Sequence, residues 1–272
     1  MKAFHSGREA KEFAVERCTR RQPLLLACVF SFLVVLNASA QQTPPKIEVG
    51  GRLHTFGELL RERNVELTEP ALLRALKSSD ADVRFLSAMK LAEDKVVGAV
   101  PAIKAALAAE TVPRDRANIA LALGLLGDPS GHDELKRMCA DENFPSEFRL
   151  YAVRYMFDLG AEKHEGCLQA ALDIAKLVDL GNRSVGDRVT AFELLARFRN
   201  LTSEESQSAF DLLLHGLNDP DPYVRMQASS AFATLGDRNA ISYLEAAISQ
   251  EVDENIRITL TINLNKLREK TK

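Results

Sequence analysis

Residues 221–237 read DPYVRMQASSAFATLGD. An aspartate followed by proline is a helix start, because the carboxylate can accept from the first free amides and proline suits the first helical position. Ala228, Phe232 and Leu235 then recur at three- and four-residue steps, which is the spacing of one helix face. Gly236 follows where a helix end favours a left-handed residue. The stretch predicts one amphipathic helix with an arginine, Arg225, near its start.

Five further segments align on that arginine, at Arg84, Arg116, Arg149, Arg188 and Arg257, with successive spacings of 32, 33, 39, 37 and 32 residues across the six. Seven residues after each arginine stand Leu91, Leu123, Met156, Leu195, Phe232 and Leu264. Ten residues after stand Asp94, Leu126, Leu159, Phe198, Leu235 and Leu267, so only the first copy departs from an apolar pattern. Ala88, Ala120, Ala152, Ala191, Ala228 and Leu260 complete the stripe, and Gly127, Gly160 and Gly236 are placed as helix terminators. A shorter helix is expected before each of these, at Ala71–Lys77, Val100–Ala108, Gly131–Ala140, His164–Leu177, Glu204–Leu217 and Ala240–Ser249. Asp128-Pro129 and the Thr202/Glu205 capping box supply start signals.

Each repeat is therefore a helical hairpin. A single hairpin buries too little apolar surface to offset its ordering entropy, whereas stacked hairpins cover each other's flanks. The expected fold is an all-α, right-handed α-solenoid of about six hairpins over residues 56–272. The pattern resembles the HEAT-repeat family, an armadillo-like helical class, in a form akin to phycobilisome-lyase-type repeats. Asp-x-x-Val-Arg in Asp221–Arg225 carries the resemblance, as does Ala231–Asp237, one residue wider than the family's Ala-x-x-Leu-Gly-Asp. It is specific for fold and uninformative about function.

The N-terminus differs in kind. Residues 1–22 hold six basic and three acidic residues, residues 23–36 read PLLLACVFSFLVVL, and Ala38-Ser39-Ala40 is a small-x-small cleavage pattern. This predicts a signal peptide over residues 1–40, removed before Gln41, and an exported chain, periplasmic or secreted. The apolar run is 14 residues, short of the roughly 20 a spanning helix needs, which leaves an uncleaved membrane anchor as the alternative. Residues 41–55 read as a Pro/Gly-punctuated linker. Without the leader the chain has 29 basic against 35 acidic residues, a balance opposite to that of nucleic-acid binders.

Cys139 and Cys167 remain after cleavage. In the repeat alignment Cys139 falls on core positions and Cys167 on a more exposed face five positions away, an offset that argues against a bond between them.

The arginine column reads first as a structural ladder, and the resemblance implies bonds to acids such as Asp82, Asp115, Glu147 or Asp187 in the arginine's own or the next repeat. An iron enzyme with this architecture, deoxyhypusine hydroxylase, uses repeated His-Glu pairs; here only His164-Glu165 matches, with His132-Asp133 as an echo, so no metal and no cofactor is expected. No nucleophile elbow, phosphate loop, zinc-protease helix, dinucleotide fingerprint or paired-cysteine spacing occurs in the mature chain.

In this family the second helices line the concave face, with outward positions two, five and nine residues after the arginine. Those positions bring Tyr151, Arg154 and Asp158 beside Thr190, Glu193 and Arg197, with Asn118, Leu121 and Leu125 on the other flank. Tyr and Arg are enriched in interface hot spots, which marks Tyr151, Arg154, Asp158, Glu193 and Arg197 as the candidate partner-binding cluster. The longer spacings add residues at Val178–Gly186 and Asn200–Ser203. Asn182-Arg183-Ser184 and Asn200-Leu201-Thr202 match glycosylation sequons. The expected function is a non-catalytic interaction or scaffold module for a protein or peptide partner. A lyase-type enzyme or enzyme subunit on the same repeats is the alternative, and DNA-lesion recognition is opposed by charge and export.

Overall fold

The computed structural model describes residues 46–49, 52–160, 166–176 and 182–272. The fold below is that of the compact unit from Pro44 to Lys272. The leader at 1–40, residues 41–45 of the expected linker, His164-Glu165 and the insertion residues 178–181 lie outside the described residues.

Part of the stretch that reads as a linker forms a two-stranded antiparallel hairpin, β1 (Lys46–Val49) and β2 (Arg52–Thr55), with Lys46 opposite Thr55 and Val49 opposite Arg52. Gly50-Gly51 between them is a tight-hairpin signal that the linker reading overlooked. Thr55 ends the sheet and starts α1 (Phe56–Glu62): its hydroxyl accepts from Glu58 N, and Glu58 Oε2 accepts from Thr55 N at 2.7 Å.

Six helical hairpins follow. They are α2 (Glu69–Ala75) with α3 (Ala81–Glu93), α4 (Val100–Ala109) with α5 (Pro113–Leu125), and α6 (Pro129–Ala140) with α7 (Ser146–Asp158). Then come α8 (Cys167–Ala175) with α9 (Asn182–Leu195), α10 (Ser203–Leu217) with α11 (Pro222–Leu235), and α12 (Ile241–Gln250) with α13 (Glu254–Lys270). Helix α1 packs on α3, where the second helix of a preceding hairpin would stand.

Local chemistry sets these boundaries. Asp80, Asp221 and Asp253 each accept from two amides of the helix that follows, and Thr202 with Glu205 forms the expected capping box. Gly127, Gly160 and Gly236 take φ of 79°, 71° and 74°, the left-handed region in which a Cβ is strained.

The core is the stripe the repeats spell out. Ala88, Ala120, Ala152, Ala191, Ala228 and Leu260 are wholly buried, as are Leu91, Leu123, Met156 and Phe232. Small residues there let helices approach closely. Gly131 shows the limit, since a Cβ on it would lie 2.4 Å from the Ala120 carbonyl oxygen and from Gly124 N, so α6 touches α5 backbone to backbone. The second helices pack on one another more extensively than the first helices do, which makes α3, α5, α7, α9, α11 and α13 the inner layer of the stack. This is an all-α solenoid, with strands among the described residues confined to β1 and β2.

Candidate partner-binding face

The arginine column runs along the turns between first and second helices. Arg84 donates through Nε (2.9 Å) and Nη2 (2.7 Å) to Glu110 of the next hairpin, and Arg116 donates to the Glu110 carbonyl at 2.9 Å and to the Glu134 carboxylate. Arg188 pairs with Asp219, whose carbonyl accepts from Arg225 at 2.9 Å. Arg225 in turn holds Glu251, whose carbonyl accepts from Arg257 at 3.1 Å. Glu110, Asp219 and Glu251 also accept backbone N–H groups of their own turns. Each of these three acids therefore ties two arginines to one turn.

Three of the acids named from sequence as arginine partners, Asp82, Asp115 and Asp187, have other roles. Asp82 pairs with Arg63 and Arg114, Asp115 with Arg114, and Asp187 accepts from the Ser146 hydroxyl. Those acids sit one or two residues before their own arginine, on the same helix turn. The guanidinium reaches across the hairpin boundary instead, where a carboxylate fixed by backbone amides awaits it.

The expected separation of the two cysteines is also corrected. Cys139 and Cys167 are disulfide-bonded, with their Cα atoms 4.9 Å apart and both side chains fully buried. Helix α8 begins 18 residues after Arg149 whereas α6 begins 13 after Arg116, so extra residues of the 39-residue spacing precede α8 and are not confined to Val178–Gly186, and equal offsets from the arginine do not mark equivalent positions. Cys167 is the first residue of α8, not a mid-helix position, and its N-terminal turn meets the C-terminal turn of α6. A Cβ on Gly166 would lie 3.8 Å from Ala140 Cβ at the same junction.

On the inner face, Tyr151, Arg154, Asp158, Glu193 and Arg197 fall together on α7 and α9. Arg154 Nη2 lies 3.3 Å from Glu193 Oε2, and Arg197 Nη2 lies 3.6 Å from Asp158 Oδ1, both bridging the two helices. The Arg197 guanidinium stands 4.6 Å over the Phe157 ring, which packs edge-on against Phe198 at 4.9 Å. Tyr151 is 42% exposed. Its ring lies 6.0 Å from that of Phe148 and 6.4 Å from that of Tyr155.

Tyr155 and Phe148 were missed from the sequence, although Phe148, Tyr151 and Tyr155 follow helical i, i+3, i+7 spacing. Tyr155 donates its hydroxyl to Asn118 Oδ1 at 2.6 Å, and burial pushes its pKa up to about 12, so it acts as a neutral donor that locks α7 to α5. Leu125 on α5 is also exposed, at 49%.

Chemically this face is a rigid aromatic row flanked by interhelical ion pairs whose members are a third to a half exposed. Exposed pairs of this kind are individually worth about 0–1 kcal/mol, so a partner can open them at low cost and recruit their charges. Among the described residues no group of three or more His, Cys, Asp and Glu is arranged to hold a metal ion. A concavity of about 670 Å³ lies between α10 and α12, away from this face, lined by Leu214, His215, Tyr243 and Ala247 among others. Among the described residues no helix is long and apolar enough to cross a membrane.

A family model described as HEAT repeats matches residues 69–173 and 174–265. Solved structures similar to the chain include human deoxyhypusine hydroxylase in complex with glycerol (16% identity, 79% of this chain and 77% of that one, TM-score 0.36). They also include the complex of CpcE and CpcF of phycocyanin lyase from Nostoc sp. PCC7120 (21% identity, 74% of this chain and 95% of that one, TM-score 0.36). No curated protein is significantly similar in sequence.

Proposed function

The chain belongs to the HEAT-repeat family, and from that premise we propose that it is a non-catalytic interaction or scaffold module holding a protein or peptide partner on its inner helical face, outside the cytoplasm. HEAT repeats commonly mediate protein interactions. The single observation that carries the reading is Tyr151, a large aromatic 42% exposed in the middle of the inner layer and braced by Phe148 and Tyr155. A braced aromatic loses little entropy on binding, which is why such residues serve as anchors. Arg154, Glu193, Asp158 and Arg197 supply both signs of charge around it.

The location rests on two independent features. The leader pattern of residues 1–40 is one. The other is the Cys139–Cys167 bond, which pairs every cysteine left after residue 40, as expected where thiols are oxidised.

The test is a pull-down from the extracytoplasmic fraction of the source cells, comparing the mature protein with a Tyr151→Ala/Arg154→Ala variant. The reading requires a protein captured by the former and lost, at least tenfold, from the latter; identical catches overturn the face assignment. N-terminal sequencing of the protein recovered from that fraction should begin at Gln41, and recovery only from the cytoplasm with an intact leader would overturn the location.

A further inference from the structure

The arginine links described above hold the stack at both ends, through Arg84, Glu110 and Arg116 and through Arg188, Asp219, Arg225, Glu251 and Arg257. The middle is different. Arg149, itself buried, donates through Nε to the Cys139 carbonyl at 3.0 Å, and among the described residues it closes no ion pair with a carboxylate of the next hairpin. The same Cys139 is the residue bonded to Cys167, which joins the first helix of the third hairpin to the first helix of the fourth. Among the described residues, a covalent bond thus stands between the first helices at the boundary with the longest repeat spacing, where the column arginines of the other boundaries reach a carboxylate.

We infer that the Cys139–Cys167 bond is a redox-gated pin that seats the fourth hairpin on the third, so that the middle of the stack becomes rigid only where thiols are oxidised. The reaction is thiol–disulfide exchange with a low-molecular-weight or protein disulfide. The two cysteine S–H groups lose two protons and two electrons, one S–S bond forms between them, and the oxidant's S–S bond is reduced to two thiols. Both sulfurs are fully buried, so an exchanging thiolate reaches them only when α8 lifts from α6. The pin therefore closes during folding and stays closed in the folded protein, which makes it a maturation gate and not a reversible sensor. Helices α7 and α9, which carry the candidate face, flank this junction, yet the inference stands without the partner-binding reading.

The experiment is hydrogen exchange by mass spectrometry on the mature protein, oxidised or held in excess dithiothreitol after reduction in denaturant and refolding, with Cys139→Ala/Cys167→Ala as a third sample. Peptide mapping should find 139 linked to 167 in the oxidised sample. Exchange in Leu135–Ala140 and Cys167–Ala175 should quicken at least about tenfold in both unlinked samples, while α2, α3, α12 and α13 change by less than about twofold. The melting temperature should fall by about 5–15 °C. If the double variant fails to fold, the reduced wild-type chain still decides. Unchanged exchange around α6 and α8, or equal loss along the whole chain, would overturn the inference, as would reduction that proceeds as fast in native buffer as in denaturant.

Discussion

Arg225 grips the carboxylate of Glu251 at 2.7 and 2.9 Å across the boundary between the fifth and sixth hairpins, while Arg257 holds the carbonyl of that same residue. One acid thereby fixes its own turn, through Asp253 N, and clamps α11 of the fifth hairpin and α13 of the sixth to that turn. Glu251 is 7% exposed, so the pair sits in a weakly screened setting where a missing partner leaves a charge stranded. Arg225→Ala is accordingly expected to lower the unfolding free energy by about 3 kcal/mol in urea denaturation. Arg225→Lys should recover less than half, because an ammonium cannot keep the two-pronged contact and the carbonyl bonds together. A loss below about 1 kcal/mol for the alanine variant would mean the link is ornamental.

The same pair predicts an acid dependence. Hydrogen bonds from Arg225, aided by backbone N–H groups of Asp253 and Val252, hold the Glu251 carboxyl below its ordinary value of 4.5 despite burial. In the window below 4.5 the unfolded chain binds the proton more readily than the folded one, so stability from this group is complete above that window and drains as pH falls through the folded value. The advantage of the wild type over Glu251→Gln should therefore shrink steadily between about pH 6 and pH 3. An advantage that is constant across that range would contradict the assignment.

Two glycines should respond in opposite directions to alanine. Gly131→Ala forces a methyl against the Ala120 carbonyl and the Gly124 backbone, and a cost of about 1–3 kcal/mol follows from displacing backbone. Gly186 lies inside α9, and a methyl added there would meet nothing within 4 Å among the described residues, so Gly186→Ala should gain about 0.5–1 kcal/mol from the entropy of the unfolded chain. Thermal denaturation of the two variants checks the pair: a gain for Gly131→Ala would be inconsistent with the α5–α6 contact, and a loss for Gly186→Ala with open space at that position.

Arg154→Ala should leave stability within about 1 kcal/mol of wild type, since its pair with Glu193 is exposed on both sides. Chemical denaturation gives the number directly. A larger loss would reassign Arg154 from the binding face to the scaffold.

The fold was legible because the residues that build it repeat. Burial of the whole Ala88–Leu260 column follows from helical spacing alone, and the capping aspartates and terminal glycines set boundaries within a few residues. What repeats imperfectly was harder to read. The first helix α1 has no arginine-bearing partner before it, so no repeat arithmetic finds it. The Cys139–Cys167 bond was hidden by an insertion that moves α8 out of the common register. The ladder acids were misplaced because sequence neighbourhood favours Asp82 and Asp187, whereas a guanidinium extends to the next turn and finds Glu110 or Asp219.

Of the candidate face, the positions came from the helical period and the pairing did not. Tyr151 could be placed outward by counting from Arg149, and equal offsets of five and nine residues from Arg149 and Arg188 set Arg154 beside Glu193 and Asp158 beside Arg197, but that these neighbours close as ion pairs depends on side-chain reach, which spacing does not give. The bracing of Tyr151 by Phe148 and Tyr155 was available from their spacing alone.

Site-specific photo-crosslinking in the source cells tests the central claim most directly, with a benzophenone amino acid placed at Tyr151 on the inner face or at Tyr243, 50% exposed beside the concavity between α10 and α12. The account predicts a discrete crosslinked protein from position 151 and none from position 243. A crosslink from position 243 alone would contradict it.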